Sequence, residues 1–197
     1  MPTLAYSIRN TLYLNITNRC SNNCSFCIKF NSRTFHENDL FLDTEPSFDD
    51  IMAAIATFRD FDEVVFCGYG ESLIRLEMVK QVAEAVKLNY CTPVRINTDG
   101  QANLVHGRNI IPELTGRVDC LSVSLNAPDA ETYMRLCHSP FGAAGFTAVC
   151  DFIRLAAAEI PEVIASAVLV PGLDVEACKA LALSLGASFR KRSYYAG

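Results

Sequence analysis

Short β-branched or apolar runs alternate with longer amphipathic stretches along the whole chain, and this alternation limits the fold more than any other feature of the sequence. Runs at 11–17, 63–67, 94–98, 118–126, 163–170 and 187–190 read as strands. After the first comes a stretch that Ser47 can cap, with Asp49 and Asp50 in its first turn and Ile51, Ile55 and Phe58 on one face. The next helical stripe is Leu76, Val79, Ala83 and Val86, with Lys80, Glu84 and Lys87 turned away. Phe146, Val149, Ile153 and Ala157 form a third stripe. In a fourth helix, Asp174 caps a face of Val175, Cys178, Leu181 and Leu185, and Gly186 ends it.

Strand and helix in repetition imply parallel strands joined by right-handed crossovers. Six such units in 197 residues fall short of the eight, in about 250 residues, that close a full barrel. The expectation is an α/β fold of one domain over 1–197, a partial (β/α)6 TIM-type barrel with parallel strands, open on one side. An open doubly wound sheet is the runner-up. Face polarity favours the curved form. In the first strand Leu12, Leu14 and Ile16 oppose Tyr13, Asn15 and Thr17; in the fourth, Leu121, Val123 and Leu125 oppose Cys120, Ser122, Ser124 and Asn126. Helices would cover the apolar face, and the polar face suits the lining of a ligand-holding concavity. The open side and its two sheet edges need a cover: a terminus, a second subunit or a large substrate.

A net charge of −5 gives nucleic acid or an anionic membrane no electrostatic hold, and no run approaches the roughly 18 apolar residues of a membrane span. The first ten residues show no basic segment followed by an apolar one, so the expected compartment is the cytoplasm. In that reducing setting clustered cysteines point to metal binding or catalysis rather than disulfides.

Of nine cysteines, three are clustered, in Cys20-Ser-Asn-Asn-Cys24-Ser-Phe-Cys27, directly after the first strand. The intervening small and polar residues allow a tight loop that turns three thiolates inward. Such thiolates suit an iron–sulfur cluster, and three of them leave one iron of a cubane open to a substrate or cofactor. Two other readings fit the spacing. One is a Cys3His structural zinc site completed by His36; the other is a four-thiolate electron carrier that recruits a distant cysteine. Cys67, Cys91, Cys120, Cys150 and Cys178 read as small core residues, and Cys137-His138 as a loop where a hydrogen-donor role is conceivable. The basic run Arg190-Lys191-Arg192 reads as solvated surface, with contact to an anionic substrate at the barrel mouth as the other reading.

The context of the cysteines is similar to the radical S-adenosylmethionine (radical SAM) superfamily. Asn18-Arg19-Cys20-x3-Cys24-x-Phe26-Cys27 resembles its C-x3-C-x-aromatic-C signature, and Phe66-Cys67-Gly68-Tyr69-Gly70-Glu71 resembles its glycine-rich turn ending on glutamate, although Ser72 stands where proline is usual. Arg95-Ile-Asn-Thr-Asp-Gly100 and Ser122-Val-Ser-Leu-Asn-Ala-Pro-Asp129 extend the likeness over nearly the whole chain. Within the superfamily, Leu12-Tyr-Leu-Asn-Ile-Thr-Asn-Arg19, Asn103-Leu-Val-His-Gly-Arg108 and Leu125-Asn-Ala-Pro-Asp-Ala-Glu-Thr132 look like the TatD-associated radical SAM proteins.

The resemblance implies a [4Fe–4S] cluster on Cys20, Cys24 and Cys27 and S-adenosyl-L-methionine chelated to its open iron. It further implies cofactor contacts from the backbone of Gly68 and Gly70, from Glu71 and from Phe26 at the adenine, with Ser122, Ser124, Asn126 and Asn97 as polar partners. Reductive cleavage would then give a 5′-deoxyadenosyl radical that abstracts hydrogen from a small metabolite or a partner protein. The implied partners are an electron donor of flavodoxin or ferredoxin type and a TatD-type metal-dependent hydrolase.

Overall fold

The structure, a computed structural model, describes residues 2–195. Its main sheet has seven strands in the order β1-β2-β5-β6-β7-β8-β9. β2 (Thr11–Leu14), β5 (Glu63–Phe66), β6 (Val94–Thr98), β7 (Cys120–Ser124), β8 (Glu162–Val168) and β9 (Ser188–Arg192) are parallel, each to its neighbour. These are the six expected units. The order never reverses, so the sheet lacks the switch point of a doubly wound fold and curls as a partial barrel.

Two strand pairs go beyond the sequence reading. β1 (Ala5–Ile8) pairs antiparallel with β2 at the sheet edge, and β3 (Thr34–Phe35) with β4 (Asn38–Asp39) forms a separate hairpin. Helices α1 (Phe48–Ile55), α2 (Leu76–Tyr90), α6 (Ala143–Glu159) and α7 (Val175–Ser184) match the predicted stripes. Ser47 and Asp50 close a reciprocal capping box on α1, each satisfying a backbone amide of the other's turn. Three short helices complete the connections: α3 (Ala102–His106), α4 (Ile111–Leu114) and α5 (Ala130–Cys137).

The apolar strand faces and helical stripes form one core. Leu12, Leu14, Phe66, Ile96, Leu121 and Val123 pack there with Ile51, Ile55, Val79, Val82 and Val86. Period-2 alternation sends the opposite parity to the concave side. Arg95 lies there with both guanidinium arms on Glu63, at 3.0 and 2.8 Å, and its third donor on Asn97 Oδ1 at 3.1 Å. Among the described residues, no helix is long and apolar enough to cross a membrane.

Candidate functional site

In a parallel sheet of this kind, the loops at the C-terminal strand ends share one side and build the site. Here the cysteine loop follows β2, residues 68–71 follow β5, Asp99 follows β6 and Asn126 follows β7. They surround a cavity of about 470 Å³ lined by all three of Cys20, Cys24 and Cys27, within the roughly 300–1,000 Å³ of small-molecule sites. A second groove of about 530 Å³, between Arg75, His106 and Arg108, lies on the outer surface and shares no residue with it.

The cysteine loop is pinned from three sides. Glu71 N donates to Arg19 O at 2.7 Å, tying it to the glycine turn. Asn23 N and Ser25 N donate to the last carbonyls of α5, on Cys137 and Leu136, at 3.1 and 2.9 Å, so the helix end finds its partners in the loop. Below, Asn22 Nδ2 donates to Tyr133 Oη at 3.1 Å and Asn22 Oδ1 accepts from Gln101 Nε2 at 2.6 Å. Asp99 accepts from Ser21 Oγ and from Gln101 N, and its carboxylate sits 4.0 Å from Cys20 Sγ.

Burial, followed by the charges of Asp99 and Glu71, holds the Cys20 thiol well above its ordinary pKa. Cys24 is raised first by hydrogen bonding with Cys137 and then by burial, and Cys27 by burial. Without metal these thiols keep their protons, and metal binding would release them. Soft ligands on one polar-turn loop, opening into a single cavity, fit an iron–sulfur cluster. The zinc alternative needs His36 as its fourth ligand. His36 stands in the β3–β4 turn, edge-on to Phe35 and away from the cavity. Among the described residues no three of His, Cys, Asp and Glu, the three cysteines included, are drawn together around a single ion position.

Phe26, Gly68, Gly70, Glu71, Asn97, Ser124 and Asn126 all line the cavity. Ser122 does not; it is buried and its Oγ accepts from Arg190 Nη2 at 2.8 Å. The glycines also have a packing reason. A Cβ at Gly68 would overlap the Asn15 side chain, and one at Gly70 would overlap the carbonyl oxygens of Thr17 and Arg19. Glu71 turns inward. Its Oε1 accepts from Leu73 N at 2.9 Å and Oε2 from Asp99 N at 2.6 Å, so it braces two strand ends.

Several residues depart from the sequence reading. Cys67 lines the cavity instead of packing in the core, and Cys91 is exposed as the left-handed cap of α2. Cys137 is the buried last residue of α5, beside Cys24, not a loop residue. Arg192 is no surface charge, because β9 runs two residues further than its apolar pattern suggests and places Arg192 on the cavity wall. Its Nη2 donates to Ser124 Oγ at 3.1 Å and Asn126 Oδ1 at 3.2 Å.

With this geometry in view, comparison with known proteins is consistent. The Radical SAM superfamily model matches residues 14–185. Among solved structures, the chain is similar to a radical SAM methyltransferase from Sphaerobacter thermophilus, with a TM-score of 0.64 at 14% identity over 96% of this chain and 68% of that one. It is also similar to SuiB of Streptococcus suis, with a TM-score of 0.66 at 13% identity over 91% of this chain and 38% of that one. At such identities the likeness is one of fold. No curated protein matches the chain by sequence.

Proposed function

The chain belongs to the radical SAM superfamily and is an enzyme of that class; from this premise we propose that Cys20, Cys24 and Cys27 hold its [4Fe–4S] cluster and that the cavity beside them takes S-adenosylmethionine and a small substrate. The observation that carries this is the convergence of the three thiols and the glycine turn on one cavity of small-molecule size. When bound, the cluster and S-adenosylmethionine supply reductive C5′–S cleavage and a hydrogen-abstracting radical.

The protein's own residues bind, orient and shield. Residues 68–71 present backbone to the methionine end of the cofactor, because neither glycine places a side chain in the way. Phe26 offers an aromatic face to the adenine, while Asn97, Ser124 and Asn126 offer hydrogen bonds. Asn97 is held by Arg95, and Asn126 Oδ1 by the Val168 amide at 3.2 Å, so both are oriented in advance. Glu71 acts at one remove, fixing the turn against the end of β6. Tyr6, Tyr69 and Phe35 add apolar wall that keeps water from the reacting atoms. The phrases of sequence quoted above support a place among the TatD-associated proteins, with a hydrolase of that type as associate and a flavodoxin or ferredoxin as electron source.

The test is anaerobic. Reconstituted protein, reduced with dithionite, should form 5′-deoxyadenosine and methionine from S-adenosylmethionine, slowly even without substrate. Cys24→Ala should abolish this together with the iron, and Cys178→Ala, on α7, should retain both. A full cluster that yields no 5′-deoxyadenosine would leave the electron-carrier reading in its place.

A further inference from the structure

We infer that Arg192 anchors the substrate: its guanidinium takes an anionic group, a carboxylate or a phosphate, of the small molecule held in the cavity. This rests on the reading of the cavity given above and adds the chemical class of its occupant.

Strand parity and register place the side chain. Arg192 pairs with Val168 across the β8–β9 ladder, shares its face with Arg190, and reaches back over β8 to β7. There it finds only neutral partners, Ser124 Oγ and Asn126 Oδ1, both through Nη2. Its Nε is buried with no hydrogen-bond partner. Among the described residues it takes part in no ion pair.

A guanidinium withdrawn from water without a counter-charge is costly, and proteins rarely leave one so unless a ligand completes it. The chain treats its other enclosed arginines differently. Arg95, on the same concave side, is held by Glu63 through two parallel bonds. Arg117, whose Nε is also without a partner, has Glu84 at 3.8 Å. Arg192 alone among these three faces a cavity and has no acid. Burial lowers its pKa, as expected of a cation lacking that partner. The unused Nε edge is the half of the fork that binds carboxylate or phosphate through two parallel hydrogen bonds.

Two other anions could claim this group, the methionine carboxylate of the cofactor and the cluster with its thiolates, so the experiment separates all three. Anaerobic holoenzyme saturated with S-adenosylmethionine is titrated calorimetrically with inorganic phosphate and with succinate. Wild type should bind at least one of them, and Arg192→Gln should weaken that binding by at least about tenfold, the weight of a charge-assisted fork. Arg192→Lys, which keeps charge and loses the fork, should fall between. Iron content should stay within about twofold, and cofactor affinity, read from the EPR signal of the reduced cluster, should fall by less than the anion affinity, because Arg192 also holds Ser124 and Asn126.

Should Arg192→Gln fail to fold, phenylglyoxal labelling of the wild-type holoenzyme gives the same answer. Phosphate or succinate should slow modification of Arg192, mapped by mass spectrometry, beyond any protection by the cofactor alone. Unchanged anion affinity in Arg192→Gln, or labelling that neither anion slows, overturns the inference. So does a loss of cofactor affinity or of iron with anion binding intact. The 5′-deoxyadenosine assay on the same samples reports separately on the underlying reading: a chain that makes the nucleoside and ignores both anions loses only this proposal.

Discussion

A methyl group at Gly70 would overlap two backbone oxygens, those of Thr17 and Arg19, in the segment that leads into the cysteines. From sequence, added bulk at this turn is expected to weaken cofactor binding and spare the cluster; the packing predicts a different result. Gly70→Ala should displace the cysteine loop, costing about 1–3 kcal/mol as overpacking does. A lower urea midpoint and iron retention well below wild type would show it, and a fully loaded, equally stable variant would refute it. Glu71 next door supplies a pH signature. Burial, then the charge of Asp99, pushes its carboxyl up to about 8 from an ordinary 4.5. Between those values the folded chain holds a proton that the unfolded chain has released, so stability falls as pH rises through that window. The urea midpoint of cluster-free protein should therefore decline from about pH 5 to about pH 8, and Glu71→Gln should flatten the decline. At this scale the sequence revealed the ligands through their spacing. It did not reveal Asp99, whose role comes from Ser21 and Cys20 meeting it across 78 and 79 positions of chain.

Between elements, the support of the site is a buried polar chain that joins α5, the cysteine loop and the end of β6. Gln101 stands at its centre, bonded to Asn22, to Ser139 Oγ at 2.5 Å and to Asp99. Gln101→Ala would leave Asn22 Oδ1 without its donor in a dry setting, a loss of about 1–3 kcal/mol. Hydrogen-exchange mass spectrometry of the cluster-free protein should show faster exchange across residues 20–27; unchanged protection there would mean that the network does not hold the loop. Such a network was not visible in advance, because Asn22, Gln101 and Tyr133 lie on three separate elements. The parallel strands were legible, since each is a compact apolar or alternating run. β1 escaped notice because four residues at an edge, with one face toward solvent, carry too little pattern. α3 and α4, at five and four residues, are too short to show a stripe. The end of β9 was missed for the opposite reason: charged residues read as surface when the concave face they point to is itself polar.

Seen whole, the main sheet begins at β1 and ends at β9, and both edges contribute to the cavity wall, through Tyr6 and Arg192. The β3–β4 hairpin and residues 193–195 approach each other there, with the rings of Phe35 and Tyr195 at 6.3 Å and nearly perpendicular. Residues 193–195 thus lie against part of the open side. Tyr195→Ala should admit oxygen more readily, so that the visible absorbance of the cluster bleaches several-fold faster in air; an unaltered rate would assign the shielding elsewhere. The strand order has a consequence of another kind. Apart from the small hairpin, every strand lies beside the one made just before it, so the ribosome releases the sheet in its order of assembly, from the β1 edge to the β9 edge. The cysteines emerge with the first parallel strand and Arg192 with the last. The loop that carries the cysteines is therefore made while the β9 wall of the cavity, with Arg192 on it, is still missing.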